Sequence, residues 1–258
     1  MKRILTALVL IPTVVYTVLW ADYWVFLAVL AAVALLCYRE YDAVAAGYGF
    51  GAPGMMGYGA GLLLLVWQGE SWPVVAVIAM VALIAAMRAD DLAKGLPRAA
   101  LLLTGVIYVF GCWKAAMPLH RENPHWLMFA LLLNWMGDTG AYYVGRSLGR
   151  HKLAPRVSPK KSWEGAVASM AFSVAVGWAY LVFFIPSVPV PEAIGLSVAG
   201  NVAGQLGDLA ESAMKRGASV KDSSAILPGH GGFLDRVDGT LFTLPVLYLC
   251  LICLKLVA

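Results

Sequence analysis

The densest run of charged and conformationally special residues in this chain lies between positions 212 and 239. Asp235 and Asp238 stand three residues apart, so on a helix their carboxylates share one face and could hold Mg²⁺. Gly231 and Gly232 leave the backbone free to turn tightly and to direct amide groups at an anion. The basic side chains of this run, which can neutralise phosphates, are Lys215, Arg216, Lys221 and Arg236. Oxygen ligands beside phosphate-binding cations suit magnesium better than zinc, so the run predicts nucleotide chemistry.

Each of these features has a plainer interpretation when it is taken alone. A glycine-rich stretch is often only a turn, and an Asp-x-x-Asp pair often only solvates a helix face. His230, which lies between Gly229 and Gly231, either orients a phosphate or caps the glycine turn, and the sequence favours neither. The concentration of all these features in one short run favours the nucleotide interpretation.

Other ionisable residues lie inside apolar segments, where they are costly unless they are paired, hydrated or bound to an ion. Asp138 is one of them. Asp208 is another, and Glu211, Ser212 and Lys215 follow it at i+3, i+4 and i+7, which is one helix face. The alternative is a structural ion-pair stripe between helices. Carboxylates outnumber nearby lysines, so the pattern favours a functional site.

A second polar run, Val157-Ser-Pro-Lys-Lys-Ser-Trp-Glu-Gly165, adds the hydroxyl of Ser158 and the lysines Lys160 and Lys161. Its plainer interpretation is a basic patch beside the membrane that contacts anionic lipid headgroups. For an enzyme that acts on an anionic lipid the two roles overlap, so these residues are candidates for substrate binding.

The elements that must position these residues are set by the composition, which is 61% hydrophobic and 13% charged. Soluble domains carry about 25% charged residues, so lipid must be the main solvent of this chain. We predict an all-α, polytopic membrane protein with about nine transmembrane helices. The first apolar run follows Met1-Lys2-Arg3 with no small-residue cleavage site after it, which predicts a retained span rather than a signal peptide. The nine apolar segments lie near 4–20, 23–38, 54–68, 72–87, 99–113, 125–145, 165–185, 190–208 and 239–257.

Lysine and arginine predict the orientation of these spans. With the N-terminus inside, all but Lys114, Arg121 and Lys255 of the 19 basic residues fall on the cytoplasmic side. We therefore predict the N-terminus in and the C-terminus out. The polar runs then lie in two cytoplasmic loops, 146–164 and 209–238, within a catalytic region at 114–258 that follows N-terminal membrane helices at 1–113.

The polar runs also resemble a known family. The pattern Ser212-x-x-Lys-Arg216, then Lys221-Asp222, then Pro228-x-His-Gly-Gly-x-x-Asp-Arg-x-Asp238 is similar to the signature of the CDP-diacylglycerol synthases, or phosphatidate cytidylyltransferases. Gly137-Asp-Thr-Gly-Ala-Tyr142 and Ser158-Pro-Lys-Lys-Ser-Trp-Glu-Gly165 resemble further elements of that family. The resemblance is close over roughly the C-terminal half, whereas the N-terminal half matches only as a set of hydrophobic spans.

This resemblance implies Mg²⁺-dependent transfer of CMP from CTP to phosphatidate, which gives CDP-diacylglycerol and pyrophosphate. It implies a paired-cation site, so Mg²⁺ and a second cation are the candidate cofactors. The paired-cation site puts the aspartates in the metal role, and we assign Asp208, Asp235 and Asp238 as ligands, with Asp138 either a further ligand or a group that contacts the ligands. As a hypothesis, we assign catalytic roles to Lys215, Arg216, Lys221, His230 and Arg236. We assign substrate binding to Ser158, Lys160, Lys161, Ser212, Gly231 and Gly232.

The expected partners are CTP, phosphatidate and membrane lipids, with a homodimer as a further candidate assembly and no nucleic acid. The expected location is the cell inner membrane, with the active site facing the cytoplasm. The nearer alternative is a CTP-dependent enzyme that acts on another lipid phosphate, including a lipid kinase that uses CTP. The more distant one is an ion-coupled transporter in which Asp138 and Asp208 form an ion path. Transport does not explain why the basic and glycine-rich loops lie on one side of the membrane.

Overall fold

The structure is a computed structural model that describes residues 2–88, 91–226 and 231–257. Most of these residues are helical. The helices are α1 (Lys2–Leu19), α2 (Tyr23–Ala46), α3 (Met55–Val66), α4 (Ser71–Ala86), α5 (Gly95–Gly105), α6 (Cys112–Lys114), α7 (Ala116–Glu122), α8 (Pro124–Leu148), α9 (Trp163–Phe184), α10 (Val190–Gly217) and α11 (Leu234–Cys253). A 3₁₀ turn at Leu92–Lys94 precedes α5, and a π-helical stretch at Val106–Gly111 joins α5 to α6.

The prediction of a mainly helical membrane protein is confirmed, and each of the nine apolar segments overlaps a helix. The loops are shorter than expected, because α10 continues to Gly217 and α11 already begins at Leu234. The predicted loop 146–164 also contains a small antiparallel sheet of β1 (Lys152–Ala154) and β2 (Ser158–Ser162). Its polar residues lack the apolar alternation that reveals a half-buried strand in a sequence.

Four helical segments of the described chain are long and apolar enough to cross a membrane: Tyr23–Ala46, Leu92–Glu122, Trp163–Phe184 and Leu234–Cys253. Shorter apolar helices occupy Leu8–Leu19, Met55–Val66 and Ser71–Ala86. The helices α8 and α10 are long but carry the polar residues on which the site predictions depend. The count of nine crossings and the orientation of the termini therefore stay predictions.

The chain forms two compact units, each assembled from separate stretches. Unit 1 comprises the described residues of Met1–Ala7, Trp24–Lys114 and Met214–Arg236. In this unit α4 packs against α5, and α3 packs against the π-helical stretch. The fully buried rings of Tyr38 and Phe110 lie 5.2 Å apart, and a Cβ at Gly61 would overlap the Phe110 ring. The small residues of α3 thus let aromatic side chains fill this core.

Unit 2 comprises the described residues of Leu8–Tyr23, Ala115–Ala213 and Val237–Ala258. Here α8 packs along α9, at a distance that leaves no space for a side chain at Gly137 or Gly140. The buried amide of Asn201 donates hydrogen bonds to Ser169 at 2.9 Å and to Ser173 at 2.8 Å. Such close backbones and buried side-chain hydrogen bonds are how helices associate in lipid. Asn201 therefore stabilises the packing of α9 and α10.

Candidate functional site

A buried ion pair joins two signature residues within unit 1. The ammonium of Lys215 lies 2.5 Å from Asp235 Oδ1, and the two side chains are only 10% and 6% exposed. The same carboxylate accepts hydrogen bonds from the backbone N of Ser223, at 3.2 and 3.1 Å, and of Gly232, at 2.8 Å. Both oxygens of Asp235 are therefore engaged by protein donors. A metal ion could bind there only if Lys215 moved away.

Glu40, which comes from α2, is a second buried carboxylate of unit 1 and is 1% exposed. Its Oε1 accepts from Ser224 Oγ at 2.6 Å and from Phe233 N at 3.0 Å. Its Oε2 accepts from Ser223 Oγ at 2.8 Å and from Leu234 N at 2.7 Å. Glu40 thus satisfies the first backbone amides of α11, which have no partner within the helix.

Glu40 is not among the residues predicted from the sequence, although its position in an apolar run is a signal for it. An ionisable residue within an apolar run is a candidate functional residue by default. Glu40 lies in a helix whose other residues are mostly apolar, next to Arg39. Of this pair, only Arg39 contributes to the charge distribution that predicts the orientation of the spans.

The glycine pair of the signature has a packing role in unit 1. Gly231 adopts φ +79°, a left-handed conformation that favours glycine. A Cβ at Gly232 would overlap both Ser223 Oγ and Glu40 Oε2. The absence of side chains lets the backbone approach the two buried carboxylates, whereas the predicted role of these glycines in binding phosphate stays a prediction.

Replacement of Gly232 by alanine is expected to destabilise the protein by about 1–3 kcal/mol, because the new methyl group must displace buried side chains. The measurement is thermal unfolding of the purified protein in detergent. Gly59→Ala is the control, since a Cβ at Gly59 meets nothing within 4 Å. Equal melting temperatures for the two variants would contradict the close packing around Gly232.

The other basic residues of the signature do not belong to the buried pair of Lys215 and Asp235. Arg216 is exposed, and its Nη1 donates to the carbonyl oxygen of Val220 at 2.9 Å. Lys221 and Arg236 are also exposed. His230 lies outside the described residues, so its predicted role stays a prediction. The exposure of Arg216, Lys221 and Arg236 to solvent is consistent with the phosphate-binding roles predicted for them.

Four carboxylates lie near one another within unit 2. Asp208, Glu211 and Asp138 each interact electrostatically with Asp238. Asp208 and Asp238 are partly buried, and Glu211 is 1% exposed. Like charges in a poorly hydrated site repel one another, and a cation relieves that repulsion. Three of the four predicted metal ligands therefore lie in one acidic cluster, which consists of Asp138, Asp208, Glu211 and Asp238.

Lys161 supplies one positive charge to this cluster. Its Nζ lies 2.5 Å from Asp208 Oδ2, and the side chains are 27% and 35% exposed. Ser212 Oγ is 3.4 Å from Asp208 Oδ1, which is a long hydrogen bond. Ser158 and Lys160 lie with Lys161 on β2, where Lys160 is exposed. The hairpin of β1 and β2 thus places Lys161, a predicted substrate-binding residue, against the predicted metal ligand Asp208. It leaves Lys160 exposed to solvent.

Oxygen ligands alone, with an excess of negative charge, are the donor set that suits Mg²⁺. The acidic cluster fits that ion chemically. As the side chains are placed, however, no group of three or more His, Cys, Asp or Glu residues within 2–88, 91–226 and 231–257 is arranged to hold a metal ion. The predicted metal assignments therefore stay predictions.

Comparison with known proteins decides the family. The model of the cytidylyltransferase family matches residues 1–254. The chain belongs to the cytidylyltransferase family. The match includes the N-terminal half, which carries Glu40, and it confirms the family resemblance that the signature residues predicted.

Individual relatives of this chain are named phosphatidate cytidylyltransferases. That of Staphylococcus aureus (strain COL) is 42% identical over 154 residues, which is 60% of this chain and 59% of the relative. Those of Staphylococcus saprophyticus and Staphylococcus haemolyticus are 41% and 40% identical over the same length and shares. The chain thus spans 59% of the length of the curated relatives that it matches.

Proposed function

We propose that this chain transfers CMP from CTP to phosphatidate, producing CDP-diacylglycerol and pyrophosphate. The family match over residues 1–254 is the observation that carries this proposal. It is supported by relatives whose name states the same lipid substrate and the same transferred group. The composition adds that the chain is built for a lipid environment, where phosphatidate resides.

The reaction needs no nucleophile from the protein. A phosphate oxygen of phosphatidate attacks the α-phosphorus of CTP, and the bond from that phosphorus to the bridging oxygen of the β-phosphate breaks, releasing pyrophosphate. Negative charge is concentrated on both substrates, so fixed cations stabilise the transition state. The exposed Arg216, Lys221 and Arg236 are the residues that we propose to bind the phosphates, together with Lys160.

Lys215 has a different place in this scheme. Because it is buried against Asp235, we propose that it keeps the turn at Gly231 and Gly232 in place, so that the neighbouring cations hold their positions. The substrate-binding roles of Ser158, Lys161 and Ser212 remain part of the proposal on the strength of the family signature. The catalytic role of His230 remains part of it on the same ground.

For Mg²⁺ we propose the acidic cluster, with Asp138, Asp208 and Asp238 as the ligands. The bound ion would offset charge on the phosphates of CTP. The chain's own carboxylates keep the cluster negative and thereby favour a cation. Asp235 is retained as a ligand only in a state in which Lys215 has left it.

The chain is a multi-pass membrane protein, and we propose that it resides in the cell inner membrane with its active site facing the cytoplasm. Support comes from the one-sided distribution of its lysines and arginines, which favours an inside N-terminus. Nine crossings require that α8 and α10 also span the membrane, their polar residues facing other helices. A homodimer remains a prediction.

The first test measures pyrophosphate release by the purified, detergent-solubilised protein with CTP, Mg²⁺ and phosphatidate, omitting each component in turn. We expect release only when all three are present, together with a CDP-lipid product. Release that persists with another lipid phosphate but not with phosphatidate would favour the nearer alternative. Failure of a folded protein to bind CTP at all would overturn the proposal and return attention to transport, which the family match does not favour.

A further inference from the structure

Two buried carboxylates hold the ends of the segment that joins α10 to α11. Asp235 accepts from the backbone N of Ser223 and of Gly232. Glu40 accepts from the hydroxyls of Ser223 and Ser224 and from the amides of Phe233 and Leu234. Each carboxylate therefore contacts both ends of the segment. Asp235 belongs to the family signature, whereas Glu40 comes from α2, far away in the sequence.

Among the residues that the structure describes, the donors to Glu40 are two hydroxyls and two backbone amides, none of which carries a formal charge. A buried carboxylate is expensive to keep without a counter-charge unless hydrogen bonds satisfy its oxygens. Here every oxygen accepts two bonds of 2.6–3.0 Å, and the side chain lies at the N-terminus of α11, where negative charge is favoured. The geometry suits a group whose task is to hold Ser223 and Ser224 in place beside the start of α11.

A purely apolar contact could fill the same volume but could not fix the direction of four donors. Gly232 leaves the space that Glu40 occupies, since a Cβ there would overlap Glu40 Oε2. Glu40 thus joins the start of α11 to the serines that follow α10, next to the pair formed by Lys215 and Asp235.

Resting on the proposed function, we infer that Glu40 is a positioning residue for CMP transfer. It acts by fixing Ser223 and Ser224 against the amides of Phe233 and Leu234, next to the signature residues Asp235 and Arg236. Glu40 contacts no substrate in this role. Its loss therefore acts on the rate with which bound substrates react, more than on the ability of the chain to fold.

The decisive variant is Glu40→Gln, which preserves size and one acceptor oxygen but directs an NH₂ group at a backbone amide that can only donate. We expect kcat for pyrophosphate release to fall roughly ten- to a hundredfold, which corresponds to one buried unpaired donor. KM for CTP should change by less than about threefold, because the substrate contacts themselves remain. Glu40→Asp should lose a similar factor, since a side chain shorter by one methylene cannot contact both ends.

Asp42→Asn is the matched control. Asp42 lies on the same helix and accepts from one backbone amide, that of Gly54, at 2.8 Å. We expect its kcat to stay within about twofold of the wild type, because it does not contact the α10–α11 segment in its hydrogen bond. All rates are measured well below the melting temperature of each variant, so that the folded fraction does not differ among them.

A double-mutant cycle with Ser223→Ala separates positioning from general loss of stability. If Glu40 acts through Ser223, the double variant Glu40→Gln/Ser223→Ala should be little slower than Glu40→Gln alone. Rate losses that multiply would overturn the inference. So would a Glu40→Gln enzyme with wild-type kcat, or a loss no larger than that of Asp42→Asn.

Hydrogen exchange provides a readout that needs no turnover. In Glu40→Gln the amides of Phe233 and Leu234 should exchange at least about tenfold faster than in the wild type, with α2 itself little changed. Unchanged exchange would overturn the inference even if activity fell. If the wild type releases no pyrophosphate but Glu40→Gln still shows the faster exchange, the proposed function is contradicted. The structural role of Glu40 at the start of α11 would still be supported.

Discussion

Replacement of Asp238 by asparagine is expected to lower kcat by about a hundred- to a thousandfold and to leave the protein as stable as before or more stable. Asp238 lies in the acidic cluster with Asp208, Glu211 and Asp138, whose like charges repel it. Removing one charge relieves repulsion in the free protein, yet it removes an anionic oxygen that we propose for Mg²⁺. Natural active sites often carry such a cost in stability for the sake of activity.

The measurement combines initial rates over a range of Mg²⁺ concentrations with thermal unfolding in detergent. We expect the Mg²⁺ concentration for half-maximal rate to rise in Asp238→Asn, because a ligand has been weakened. Glu122→Gln, an exposed carboxylate at the end of α7 in the same unit, is the control and should match the wild type. A normal rate with an unchanged Mg²⁺ requirement would remove Asp238 from the metal assignment. A rate loss that follows a lower melting temperature would assign it a structural role.

The helices were predictable because apolar length and composition are local properties of the chain. Every apolar segment found in the sequence overlaps a helix, including α8 and α10 with their polar residues. The bounds were less predictable, since α10 extends through the charged residues up to Gly217. Charged residues with good helix propensity continue a helix beyond its apolar part, so hydropathy alone ends the segment too early.

The partners of the site residues could not be predicted, because they depend on contacts between distant parts of the chain. Glu40 and Ser223 lie 183 positions apart, and no spacing rule connects them. Asp235 and Asp238 were assigned a shared role from their i, i+3 spacing. In the structure, Asp235 is engaged by Lys215 and backbone amides, whereas Asp238 interacts with other carboxylates. The i, i+3 spacing of Asp235 and Asp238 therefore did not indicate that the two carboxylates have different neighbours.

The prediction of function from the sequence depended on the family signature. Its residues mix glycines, cations and carboxylates in a fixed order, and the match over residues 1–254 confirmed the family. The structure adds physical reasons for several positions, since Gly232 leaves room for buried groups and Lys215 neutralises a buried carboxylate. These reasons concern the folding of the segment, which a signature alone cannot separate from chemistry.

Variants of the Lys215–Asp235 pair can distinguish a role in folding from a role in catalysis. Lys215→Met should destabilise the protein by about 3–5 kcal/mol, because it leaves the buried carboxylate of Asp235 without this cation. Adding Asp235→Asn to it should restore about 1–3 kcal/mol, since the uncompensated charge is then gone. The measurement is the free energy of unfolding, or the melting temperature, of both single variants and the double variant in detergent.

The double variant Lys215→Met/Asp235→Asn should regain stability but not activity. In the double variant the asparagine oxygen can still accept from the backbone N of Ser223 and of Gly232, because both bonds reach the same oxygen, Oδ2, of Asp235. The ionic link from Lys215 on α10 to Asp235 at the start of α11 is lost, however, because methionine cannot donate. We expect the kcat of the double variant to stay at least about a hundredfold below that of the wild type. Lys161→Met is the control for stability, because the pair with Asp208 is 27% and 35% exposed and should contribute less than about 1 kcal/mol. If the double variant regains both stability and turnover, the pair serves only to neutralise a buried charge, and the chemistry depends on the exposed cations instead.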